Sequence, residues 1–183
     1  VCTLNAARIL DTACRILGKT YDEVAQLALS AKPGANGLTL LPYFEGERTP
    51  NRPTATGVFA GMNLNNSNPE DIARAMVEGM LAGLADAVDA LVALGVGVNR
   101  ILLIGGAAKN PAVPAIASAL FGREVLVPPA GEYVADGAAK QAAWALLGRL
   151  PTWDLGEVSH HKSEATPEVM MRYRELKNNT QNW

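Results

Sequence analysis

The sequence predicts an α/β fold in which helices pack closely on a sheet. Three observations carry that expectation. Apolar residues make up 49% of the chain but aromatics only 5%, so Ala, Leu and Val must supply most of the core. Small side chains of this kind suit helices lying on a sheet better than a β-sandwich. The segment from Arg100 to Gly148 alternates strand, helix, strand and helix patterns. The length of 183 residues suits one domain of ordinary size.

The formal net charge of −2 gives no electrostatic case for nucleic acid or an anionic membrane as partner. No apolar run reaches membrane-spanning length, and no signal peptide is visible. Cys2 and Cys14 are the only cysteines. On one helix they stand about 18 Å apart and do not pair. A reducing, cytoplasmic setting fits. The chain opens without Met on "VCTLNAARIL", helical from its first residues, so a piece of a longer protein is expected.

Taken in order, Leu4 to Leu17 reads as a helix with apolar residues at helical spacing and Gly18 as its C-cap. Tyr21 to Ser30 reads as a second helix. "LTLLPYF" and "VFAGMNL" read as strands, separated by the long loop "EGERTPNRPTATG". Asn68 caps the longest helix, with Pro69 at its first position and Asp71 three residues after the cap. Its apolar stripe runs from Ile72 through Met76, Met80 and Leu84 to Val92, and Gly95 ends it. Gly79 and Gly83 let another element approach closely. "RILLIGG", "NPAVPAIASALFG", "EVLVP" and "YVADGAAKQAAWALLG" then read as strand, helix, strand and helix. The chain divides into residues 1–150 and a polar tail, 151–183, holding a short helix over Pro167 to Lys177.

Few motifs carry chemistry. "GKT" at Gly18 to Thr20 looks like a P-loop, but a helix precedes it and Ala13 stands where a glycine is required. "GVG" at Gly95 to Gly97 precedes a strand where a dinucleotide fingerprint must follow one. Gly105 and Gly106 are better placed, at the end of a strand and ahead of a helix. Without Cβ atoms they let a flat base or a phosphate lie on backbone. Asn110 can hydrogen-bond a ligand, cap its own helix, or divide its amide between the two. On spacing alone, a ligand site and an ordinary turn both remain open. Glu47 and Arg48 in "GERTP" read as an ion pair, solvated or between lobes. His160 and His161 lack further ligands at metal spacing and read as surface.

"LPYFEGERTPNRPTATGVFAGMNL", "IARAMVEGMLAGLADAVDAL", "LLIGGAAKNPAV" and "GEYVADGAAKQAAWALLG" occur in this order and spacing. Together they resemble the FGGY carbohydrate kinases, the xylulose kinases among them most. The resemblance implies an actin-like ATPase (ribonuclease H-like) fold, with this chain as most of the C-terminal, nucleotide-binding lobe, incomplete at its N-terminal side, and a mixed β-sheet flanked by helices. Gly105, Gly106, Ala107 and Asn110 match the family's adenosine motif, with Ala107 standing where many relatives have a third glycine. The first helix matches the one lining the other side of the adenine, and its implied contacts are Asn5, Arg8 and Ile9. Arg48 is implied at the cleft between lobes, and Asp136 as a cap of its helix.

The resemblance further implies phosphoryl transfer from ATP, with Mg²⁺, to a pentulose hydroxyl, D-xylulose giving D-xylulose 5-phosphate. No catalytic or metal-binding residue is matched in this chain. The general-base aspartate and most sugar contacts belong to an N-terminal lobe preceding Val1, which is the implied partner. A homodimer goes with the family. Two other classes stay in view: an actin-like ATPase lobe that is no transferase, and an α/β binding module.

Overall fold

A computed structural model of the chain describes residues 2–154 and 156–181. The elements run α1 (Arg8–Leu17), α2 (Tyr21–Ser30), β1 (Thr39–Leu41), β2 (Val58–Ala60), α3 (Pro69–Ala93), β3 (Ile101–Leu102), α4 (Ala112–Phe121), β4 (Val125–Val127), α5 (Tyr133–Leu147), β5 (Ser159–His161) and α6 (Pro167–Asn179). Short 3-10 turns lie at Ala35–Gly37 and Gly106–Lys109. β1 and β2 pair antiparallel, with Leu40 opposite Phe59. In the second sheet β4 is central. It runs parallel to β3, with Ile101 opposite Val125, and antiparallel to β5, with Val125 opposite His161.

α3 is the axis of the molecule. Asn68 caps it, accepting the Asp71 N–H at 2.8 Å, and Pro69 opens it without a wasted donor. Residues 73–82 are buried on every side, because α1, α2, α4, α6 and β1 all pack against them. Met76, Val77, Met80 and Leu81 join Leu40, Leu41, Ile9, Ile116 and Tyr173 in one core. The expected stripe is therefore only part of the interface. Past Ala85 the helix emerges, and Val92 is exposed.

Close approach requires a glycine at one position on α3. A Cβ on Gly79 would stand 2.5 Å from the Leu40 carbonyl oxygen. A buried ion pair lies on the same helix. Arg74 Nε donates to Glu78 at 2.5 Å, and the Gly34 N–H donates to the same carboxyl at 2.9 Å. Burial pushes the Glu78 carboxyl up, against the pull of Arg74 and the Gly34 N–H.

Several boundaries differ from the sequence expectation. α1 starts at Arg8, not Leu4. The Asn5 side chain is committed to the Gly46 carbonyl at 2.7 Å, and the Asn5 N–H to the Thr3 hydroxyl at 3.0 Å. These bonds hold the preceding residues in a turn, so Cys2 lies off the helix; both cysteines are free. β5 was not anticipated, since "SHH" has no apolar alternation. The 151–183 segment is no mere tail. β5 completes the second sheet, and α6 buries Val169, Met170 and Tyr173 in the common core. Asp136 does not cap α5: the cap position is Glu132, and no side chain bonds there. None of the residues of α5 is buried, and Val134, Trp144 and Leu146 are exposed. Among the described residues no helix is long and apolar enough to cross a membrane.

A methyl at position 79 must push into the Leu40 backbone. Gly79→Ala is expected to cost about 1–3 kcal/mol, measured as a lower urea midpoint. A second expectation concerns the capping box of α2, where Thr20 accepts the Glu23 N–H and Glu23 accepts the Thr20 N–H. That backbone bond, then Lys19 and the Thr20 hydroxyl, holds the Glu23 carboxyl down to about 2. A depressed folded-state value stabilises above the ordinary 4.5 and stops doing so as pH falls toward 2. Glu23→Ala should melt below the wild type at neutral pH, and the gap should narrow through that window.

Candidate nucleotide site

The Gly-Gly turn lies between two cavities. On one side is a slot of about 370 Å³, walled by Ala7, Arg8, Leu10 and Asp11 of the first helical segment, Tyr21 and Asp22 at the start of α2, and Gly106, Ala107, Lys109 and Asn110. On the other side is a crevice of about 470 Å³ beyond the carboxyl ends of β3 and β4, reaching Tyr133 of α5. Gly106 and Lys109 line both. An outer hollow of about 610 Å³ flanks the other face of α1 and shares Arg8, Asp11 and Tyr21 with the slot. The position matches the physics of open α/β sheets, where ligands collect beyond the carboxyl ends of parallel strands.

The two glycines differ. Gly105 has φ +97°, a conformation other residues rarely adopt. Gly106 has no such φ, and a Cβ there would meet nothing within 4 Å. Asn110 is 8% exposed, and its amide is divided. Oδ1 accepts the Ala112 N–H at 3.0 Å, fixing the start of α4. Nδ2 donates to the Tyr21 carbonyl at 3.3 Å, tying the turn to α2. Asn110 thereby sets the spacing between two walls of the slot.

The structure gathers Arg8, Gly106, Ala107 and Asn110 in the slot and places Gly105 in the crevice. Asn5 and Ile9 line the outer hollow instead, both nearly buried at 4% and 2%. Arg8 is exposed and ion-paired with Glu45. Cys14 lines the hollow as well, and burial, then the Asp11 charge, pushes its thiol up, away from the reactive thiolate. Arg48 lines none of these three cavities.

The expected Glu47–Arg48 ion pair does not form. The Arg48 guanidinium lies 3.7 Å from Cys2 Sγ. Glu47 turns inward, 4% exposed. Its Oε2 accepts the Thr3 hydroxyl at 2.6 Å and Asn5 Nδ2 at 3.1 Å. Its Oε1 accepts the Arg48 and Thr49 N–H groups at 2.7 and 3.2 Å. A buried carboxylate survives on neutral donors when they saturate it. The reading of adjacent opposite charges missed this; the short polar residues Thr3, Asn5 and Thr49 were its only trace. Tyr21 and Lys109 were also missed, because nothing local marks a residue that lines a cavity with a distant turn. Glu47→Gln would face two of the four donors with an NH₂ group. It is expected to cost about 1–3 kcal/mol for each donor left unpaired, measured by thermal denaturation.

Residues 3–146 match the FGGY family of carbohydrate kinases, C-terminal domain. The xylulose kinase of Haemophilus influenzae is 34% identical over 145 residues, covering 79% of this chain and 29% of that protein. The gluconokinase of Bacillus licheniformis is 31% identical over 176 residues, 93% of this chain and 34% of that protein. The crystal structure of xylulose kinase from Bifidobacterium adolescentis superimposes with a TM-score of 0.86 at 48% identity, covering 97% of this chain and 35% of that one. The chain thus spans about a third of the length of these relatives. Its architecture is that of the C-terminal part of the actin-like ATPase fold these kinases share. The chain belongs to the FGGY family of carbohydrate kinases.

Proposed function

We propose that the chain is the adenosine-binding part of an ATP-dependent sugar kinase, and that the whole protein converts D-xylulose to D-xylulose 5-phosphate. Gly106 carries the nucleotide half of this reading. Neither backbone strain nor packing within the protein calls for glycine there. The space its missing side chain leaves open borders both the slot and the crevice. That is where backbone can meet the face of a base or ribose. Lys109, which lines both cavities, supplies positive charge for phosphates.

The sugar is inferred from the relatives, among which xylulose kinases recur. A gluconokinase also matches over most of the chain, so another sugar of the family is the second reading. Among the described residues no group of three or more His, Cys, Asp or Glu is placed to hold a metal ion. Mg²⁺, which neutralises phosphate oxygens in such transfers, would be held by the nucleotide and by carboxylates outside this chain. The general base is assigned to the remainder of the protein as well. That remainder, its N-terminal lobe included, is the partner we assign to this chain, which leaves Val134, Trp144 and Leu146 of α5 exposed. A cytoplasmic location goes with the use of ATP.

Calorimetric titration of ATP into the chain should give binding heat that disappears in Gly106→Val, while the melting temperature stays at the wild-type value. Unchanged binding in Gly106→Val would overturn the nucleotide assignment. The chain alone is expected to leave D-xylulose unphosphorylated. Turnover in a preparation free of other kinases would overturn that division of roles.

A further inference from the structure

We propose that Tyr21 is the platform on which the base of the bound nucleotide stacks. The inference rests on the slot being the nucleotide site and assigns the base contact to one side chain.

Tyr21 is 50% exposed, yet its position is fixed at several points. Its hydroxyl bonds to the Asp11 carboxylate, one helix away. Its carbonyl accepts Asn110 Nδ2 at 3.3 Å, which ties it to the Gly106–Asn110 turn. The capping box of Thr20 and Glu23 fixes the helical turn that carries it. A half-exposed ring normally turns between rotamers; this one is held, and it lines both the slot and the outer hollow.

The other walls complement it. Ala7, Leu10, Gly106 and Ala107 bring small or apolar surface to the same slot. Among the described residues, no other one lining the slot offers an aromatic face. Asn110 already uses its amide on Ala112 and Tyr21, and Arg8 is paired with Glu45. A purine is flat, apolar on its faces and polar at its edge. Between a tethered phenol ring and a glycine-alanine wall, its faces are satisfied and its edge stays wet. Every base has a π-face, so such a contact favours large bases without reading their edges.

A purely structural role would make Tyr21 a tether between α1 and α2, acting through its hydroxyl. Three variants separate the two roles. Tyr21→Phe removes the tether and keeps the face. Tyr21→Trp keeps a face without the hydroxyl. Tyr21→Ala removes both. Affinities of the chain for ATP and for adenosine would be measured by calorimetry or ligand-observed NMR, with melting temperatures recorded alongside.

A platform predicts that Tyr21→Ala weakens ATP and adenosine by the same factor, on the order of tenfold. Tyr21→Phe and Tyr21→Trp should stay within about twofold of wild type. Three results would overturn it: unchanged ATP affinity in Tyr21→Ala, a loss in Tyr21→Phe as large as in Tyr21→Ala, or a loss for ATP with adenosine unaffected. A wild-type chain that binds neither ligand would overturn the nucleotide assignment itself, a result distinct from all three.

Discussion

The contact between Gly79 of α3 and the Leu40 backbone leaves no room for a side chain in the middle of the core, and the elements around α3 are arranged about it. It brings β1 against a helix that other helices already surround. A helix enclosed on all sides cannot keep its polar residues in water. Arg74 and Glu78 are therefore used inside, where Glu78 takes the Gly34 N–H and Arg74 reaches the Ala28 carbonyl at 3.4 Å. These bonds fix the loop that follows α2 at the depth of the core. Such a pair contributes less to net stability than to position, because desolvating both charges offsets much of their attraction.

Two polar clamps then carry order from the core to the slot. Glu47 gathers Thr3, Asn5 and its own loop, and so determines where α1 begins. Asn110 joins the start of α4 to the start of α2. Between them the first helix, the second helix and the Gly-Gly turn are held without any apolar contact having to fill the slot. An opening that stays open needs this arrangement, since apolar walls alone would tend to collapse onto one another.

Local chemistry was legible where it acts locally. Asn68, Pro69 and Asp71 announced α3, Gly18 announced the end of α1, and the span of α2 followed from its own residues. Gly105, Gly106 and Asn110 could be placed at a strand end, but whether they faced a ligand was not decidable from spacing. Nor does spacing show that α1 and α2 stand opposite the turn and close a slot with it. Glu47 was misread because the two side-chain donors that draw it inward, Thr3 and Asn5, lie more than forty positions away. β5 escaped because an exposed edge strand needs only its backbone to pair, so its side chains carry no alternation. The burial of α6 likewise depends on α3 and β1, elements that its own composition does not name.

The slot draws its walls from three stretches far apart along the chain: residues 7–11, 21–22 and 106–110. A small molecule seated there touches all three at once and works as a reversible cross-link. The free energy of occupancy is then added to that of folding, growing with the logarithm of ligand concentration above its dissociation constant. With the nucleotide site proposed above, occupancy of the slot would set part of the cohesion among these three stretches.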